Sequence, residues 1–89
     1  MIQVTAVHMA GGESHGHIAD LRWRNLTTGG TGESSRDAVV AWLGAEENRA
    51  VVHVGQQQVD VGVVEATPPY LRTHKDGVWT DNLLALPRF

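Results

Sequence analysis

Apolar and polar residues alternate along Ile2-Gln3-Val4-Thr5-Ala6-Val7-His8, which predicts a strand with Ile2, Val4 and Ala6 on its buried face. Ala10 to Ser14 holds two glycines and reads as a loop. From His17 to Leu26 a second strand follows, with Ala19, Leu21 and Trp23 inward and Asp20, Arg22 and Arg24 outward. The glycine- and threonine-rich stretch from Thr27 to Glu33 reads as another loop. A helix is then predicted from Ser34, an N-cap residue with Asp37 three positions on, and Val39, Trp42 and Leu43 form its apolar side. Gly44 or Asn48 ends it.

Two valine-rich runs, Ala50–Val54 and Val59–Val64, bracket Gly55-Gln56-Gln57-Gln58 and predict a hairpin. Thr67-Pro68-Pro69 breaks the chain. Tyr70–Thr73 and Val78–Thr80 predict a last hairpin around His74-Lys75-Asp76-Gly77. Leu83, Leu84 and Leu86 must pack somewhere, because together in solvent they would form an apolar patch. The expected fold class is therefore α+β: a small antiparallel sheet in ββαββ order, with one or two short C-terminal strands, covered by a single helix.

Length and composition narrow the picture without redirecting it. A chain of 89 residues fits one domain, 1–89, whose folding buries only about two-thirds of its surface. A hydrophobic fraction of 42% and a charged fraction of 19% are those of an ordinary globule. The absence of cysteine excludes disulfide scaffolds, cysteine-ligated metals and thiol nucleophiles. No secretory pattern opens the chain and no apolar run nears the ~20 residues of a membrane span, so the expected location is the cytoplasm, with no membrane partner. Net charge is −3, and neither half of the chain is basic, which disfavours nucleic acid as a partner.

Three stretches together carry a family resemblance. They are Gly11-Gly12-Glu13-Ser14-His15-Gly16-His17-Ile18 leading to Leu21-Arg22-Trp23, then Gly32-Glu33-Ser34-Ser35, and then Tyr70-Leu71-Arg72-Thr73 with Asp76-Gly77 and Trp79-Thr80-Asp81-Asn82-Leu83-Leu84-Ala85-Leu86-Pro87. This resembles the small bacterial and phage proteins of the DUF3892 domain of unknown function, over nearly the whole chain. The resemblance implies a compact standalone domain and no established activity, substrate or cofactor.

Five histidines are the oddest feature of the composition. Matching the apolar faces of the first two strands pairs Ile2 with Trp23, Val4 with Leu21 and Ala6 with Ala19, and sets His8 opposite His17. His15, two residues earlier, would project from the same side about 6.5 Å away. Three converging imidazoles with an open fourth position are a catalytic zinc pattern, so His8, His15 and His17 are candidate ligands for a divalent transition metal. The plainer reading is that histidines at a strand end beside a glycine loop are simply half-exposed, and no metal or other cofactor is required.

Other constellations are weaker. His53 and Asp60 face each other if Val52 pairs with Val61, but no hydroxyl is nominated to complete a triad. The loop from Gly29 to Ser35 lacks the lysine of a phosphate loop, with Glu33 in its place, and capping explains it better. Arg22 and Arg24 flank Trp23, and Arg72 could lie over Trp79 as a cation–π pair, which hints at single-stranded nucleic acid. Asp20 on the same face argues against it. Asp81 and Asn82 read as backbone-binding residues that steer the leucines inward.

No set of residues supplies nucleophile, base and oxyanion site together, so an enzyme is not the favoured expectation. That expectation is a non-catalytic binding module for a protein partner of unknown identity, through Glu13, His15, His17, Arg22, Arg24, Arg72 and Trp79. A homo-oligomer through an open sheet edge is a further possibility. The alternatives are a metal-dependent hydrolase using His8, His15 and His17, and a single-stranded nucleic-acid binder.

Overall fold

A computed structural model describes all 89 residues, from Met1 to Phe89. The chain forms β1 (Ile2–Met9), a 3-10 turn (His15–His17), β2 (Ile18–Asn25), β3 (Thr31–Ser35), α1 (Arg36–Trp42), β4 (Ala50–Val54), β5 (Gln57–Val64), β6 (Tyr70–Lys75) and β7 (Val78–Thr80). The strands make one mixed sheet in the order β3-β2-β1-β4-β5-β6-β7. This corrects the expected small antiparallel sheet of ββαββ order: there are seven strands, β1 and β4 run parallel, and the helix has only seven residues.

The added strand, β3, takes its first three residues from the stretch expected to be a loop and its last two, Ser34 and Ser35, from the expected start of the helix. Asn25 turns the chain tightly there. Its Oδ1 accepts the Thr27 and Thr28 amides at 2.8 and 3.1 Å, and Gly29 takes a φ of +78°, a region open to glycine. Residues 31–35 then run back antiparallel to β2, with Glu33 opposite Arg22 and Gly32 opposite Trp23. Ser35, one residue later than expected, is the N-cap, and its hydroxyl accepts the Ala38 amide at 3.1 Å.

Registers also differ from the expected ones. Irregularities between Val4 and Ala6 and between His8 and Met9 interrupt the β1–β2 ladder, and each shifts the period by one. Before either of them the ladder is already two residues from the expected register, with Ile2 opposite Asn25 and Val4 opposite Trp23; beyond them Val7 pairs with Leu21 and Met9 with Ile18, so Val7 and Ile18 are buried where Ala6 and Ala19 were expected. His8 therefore lies opposite Asp20, not His17. In the next hairpin only Gly55 and Gln56 form the turn, with positive φ at Gly55 alone, the arrangement of a glycine-first tight turn. Val52 meets Val59, and Asp60 sits across from Val51 rather than His53. At the last hairpin both Asp76 and Gly77 have positive φ, as an Asp-Gly tight turn requires.

The sheet curls so that β6 packs on both α1 and the 3-10 turn. Ile2, Val4, Val7, Ile18, Leu21, Val39, Val52, Leu71 and Leu83 fill the enclosed space. Leu83 is fully buried, as the leucine-rich tail was expected to be anchored. What turns the chain toward it is Thr73, the one buried polar residue. Its hydroxyl meets Thr80 Oγ1 at 2.7 Å and accepts the Asn82 amide at 3.1 Å, while Asn82 Nδ2 donates to Thr80 Oγ1. Replacing Thr73 by Val keeps the shape but strands these groups, and should cost about 1–3 kcal/mol. Urea unfolding should show a lower midpoint with unchanged slope, and Thr73→Ser should lose less. A Thr73→Val protein as stable as the parent would refute this role.

Candidate functional site

The β1–β2–β3 end of the sheet presents an ordered outer face. Register sets Gln3, Arg24 and Thr31 in one row, Ala6, Arg22 and Glu33 in the next, and His8, Asp20 and Ser35 in a third. Arg22 is held twice. Its Nε donates to Glu33 Oε1 at 3.2 Å, and its guanidinium carbon lies 4.1 Å from the centre of the Phe89 ring. Both groups are solvated, so the ion pair is worth under about 1 kcal/mol and mainly fixes orientation.

Arg24 is different. Five of the six arginines meet a carboxylate within 4.0 Å: Arg22 with Glu33, Arg36 with Asp37, Arg49 with Asp60, Arg72 with Asp81 and Arg88 with Glu13. Arg24 meets none, and it borders a shallow groove of about 420 Å³ with Thr5, Arg22, Thr31, Gly32 and Glu33. An exposed guanidinium over a groove is a ready donor to a carboxylate or another planar anion.

The three candidate metal ligands are held apart. His8 donates from Nδ1 to the main-chain oxygen of Phe89, whose ring centre is 5.8 Å from its own. His17 Nδ1 shares a hydrogen bond with Ser14 Oγ at 2.6 Å, and its ring fills the space that a side chain on Gly12 would need. His15 turns toward Asp81, with Nε2 3.7 Å from Oδ1. No three His, Asp or Glu side chains are grouped to hold a metal ion. The convergence depended on the His8–His17 register, and the ladder excludes it: Ile2 pairs with Asn25 and Val4 with Trp23, two residues from the expected partners, and His17 lies in the 3-10 turn rather than in β2.

The remaining candidates are scattered. Arg72 does not lie over Trp79: it donates from Nε to the Thr80 carbonyl at 3.1 Å and pairs with Asp81 at 2.8 Å. Trp79 instead meets His74, its partner across the ladder, edge-on at 5.4 Å. Glu13 reaches only Arg88, at 4.0 Å. Of the residues expected to bind, the structure brings together Arg22 and Arg24 on one face, and His15 and Arg72 around Asp81.

The family model described as "Protein of unknown function (DUF3892)" matches residues 3–87. The chain belongs to this family. No curated protein and no solved structure matches it. No helix of this DUF3892 domain is long and apolar enough to cross a membrane.

A second concavity of the DUF3892 domain lies on the inner side of β3, and sequence reasoning missed it. It holds about 190 Å³ and is lined by Ile2, Trp23, Asn25, Ser34, Val39 and Trp42. Trp23 and Trp42, expected to be core, form its walls, and Trp23 Nε1 donates to Ser34 Oγ at 3.0 Å. The available signal was Gly32 opposite Trp23. A Cβ there would lie 2.4 Å from Trp23 Cζ2, so only glycine lets the indole lie across β3.

His15 is displaced from its ordinary titration. Its side chain is 11% exposed, and Nε2 is buried without a hydrogen-bond partner. Burial, and then the Arg72 charge, push its pKa below 6.5, with Asp81 opposing. The fold therefore favours neutral His15. Its contribution is complete above the unfolded pKa of 6.5 and is lost as pH falls from there through the lowered folded value. Thermal melts from about pH 7 to about pH 5 should thus fall more steeply for the parent than for His15→Gln. Parallel curves would show that His15 carries no such linkage.

Proposed function

We propose that the chain is a small, cytoplasmic, non-catalytic binding module, which takes an anionic group of a protein partner on the outer face of β2 and β3. The observation that carries this reading is Arg24, the one arginine with no carboxylate, set at the rim of an open groove. Neighbouring Arg22 is braced by Glu33 and Phe89, so the groove wall is ordered before a partner arrives. Preorganisation of this kind lowers the entropy that binding must overcome. Asp20 and Glu33 on the same face balance the two arginines. That suits one placed carboxylate better than a phosphate backbone, whose affinity needs several uncompensated cations.

A charge-assisted hydrogen bond is worth roughly 1.5–3 kcal/mol, so Arg24→Ala should weaken partner binding by about ten- to a hundred-fold. Arg24→Glu should abolish it. Arg36→Ala is the control, because that guanidinium already meets Asp37. The measurement is affinity capture with each variant at matched concentration, after confirming equal melting temperatures. A captured set unchanged by Arg24→Glu would overturn the reading. Capture lost on chelation would favour the hydrolase alternative, and affinity falling steeply with salt would favour nucleic acid.

A further inference from the structure

Three observations meet at the free edge of β3. First, β3 is the last strand on its side of the sheet, so one side of its backbone has no partner strand. Thr31-Gly32-Glu33-Ser34-Ser35 contains neither proline nor lysine, the usual guards of such an edge. Second, the Trp23–Trp42 cleft lies on the inner side of the same strand. The Trp23 indole lies across Gly32, anchored through Nε1 to Ser34, and Val39 and Trp42 of α1 complete the walls. At about 190 Å³ the cleft is smaller than the ~300–1,000 Å³ of pockets that enclose whole small molecules, and it suits a single side chain. Third, Arg24 stands on the outer side of the same hairpin, in register with Thr31 and with no carboxylate within 4.0 Å of its guanidinium.

We infer that an extended peptide segment of a protein partner adds to this edge as an eighth strand, with an apolar side chain in the Trp23–Trp42 cleft and an acidic side chain facing Arg24. The inference names the occupant of the binding face proposed above and rests on that reading for the role of Arg24 alone. Side chains of an added strand alternate between faces. The residue opposite Thr31 would project on the outer face in the Arg24 row, and the residue opposite Gly32 would project inward beside Trp23. Two strand spacings, about 9.6 Å, separate the Arg24 backbone from the added strand. An arginine and a glutamate extended toward each other span that distance. Backbone pairing supplies affinity, and the cleft and Arg24 supply selectivity, as in other strand-addition complexes. A second copy of the chain is a poorer occupant. Antiparallel self-pairing centred on β3 sets Glu33 against Glu33, and like charges directly opposite are destabilising.

The test uses the full chain and a blocked six-residue peptide alternating Leu with Glu and Thr, titrated by NMR of the tryptophan indole and β3 amide signals. The expected result is saturable binding that shifts the Trp23 and Trp42 indoles and protects β3 amides from exchange. Replacing every Leu by Ser, or N-methylating alternate amides, should weaken binding at least about tenfold. Changing Glu to Gln should weaken it similarly in the parent, and not at all in Arg24→Ala. Equal binding by the N-methylated or Leu-free peptide would overturn strand addition. Glu-dependent binding that still needs Arg24 would, in that case, leave the anion-binding face standing. No peptide binding at millimolar concentration, or a solution dimer that protects β3 without peptide, would also overturn the inference.

Discussion

Strand β1 lies in the interior of the sheet and needs hydrogen-bonding neighbours on both sides, yet β4 pairs with it only at Ile2 and Gln3. Beyond that point the two strands diverge, and the C-terminal segment takes over. The Val7 amide donates to the Pro87 carbonyl at 3.0 Å, and the Phe89 amide donates to the Val7 carbonyl at 3.2 Å. Much else depends on this arrangement. A buried strand cannot leave its backbone unpaired, so the tail must return across the molecule, and Leu83 must be buried on the way. The divergence lets the β3-β2-β1 and β4-to-β7 parts of the sheet curl toward each other, and α1 and the 3-10 turn both reach β6. The returning tail also places Phe89 against Arg22 and His8, so one backbone requirement organises the core and the outer face together.

Strand content was legible wherever a single apolar period runs unbroken. Ala50–Val54, Val59–Val64 and the Asp76-Gly77 turn all lie in strands or turns as their residue types require. The failures have specific physical causes. In β1 the period breaks at Thr5, and a strict alternation then points Ala6 inward and Val7 outward, the reverse of what the ladder does. A bulge leaves no residue signature strong enough to be read from one chain. Residues 31–33 look like the end of a loop and Ser34 like a helix cap because their side chains are small or polar, but an edge strand next to a tryptophan needs little more than glycine and hydroxyls. The parallel β1–β4 contact joins residues nearly fifty positions apart, and no local pattern encodes it. The family resemblance was sound, since the family model spans residues 3–87, but it brought no site with it.

The candidate site divides along the same line. Arg22 and Arg24 were placed outward by simple alternation, and they are outward, because β2 stays regular from Leu21 onward. The histidine cluster required Ile2 opposite Trp23 and Val4 opposite Leu21, and the two-residue offset of the actual ladder dispersed it. Each imidazole instead has a local role. His17 packs over Gly12, His8 contacts the main chain at Phe89, and His15 fills the seam beside Asp81. Partner-free groups are the informative ones in a domain whose arginines are otherwise nearly all matched. Five arginines are matched within the chain and Arg24 is not, which is why the binding proposal is centred on it.

The two outer strands of the sheet differ in what limits their pairing with another chain. β7 is only three residues long and leaves Val78 64% and Trp79 42% exposed, with little backbone to pair. Short edges of this kind limit edge-to-edge growth. β3 is longer and flatter in composition, and its single charge does two things at once. Glu33 orients Arg22 on the outer face, and its position at the middle of the five-residue strand penalises symmetric pairing with another β3. That penalty does not apply to a segment carrying a neutral residue opposite Glu33. Under the strand-addition proposal, an edge protected against itself, with an apolar cleft on one side and an unmatched cation on the other, would discriminate by requiring both features in one strand. Neither feature alone would distinguish a partner from the many exposed strands of other proteins.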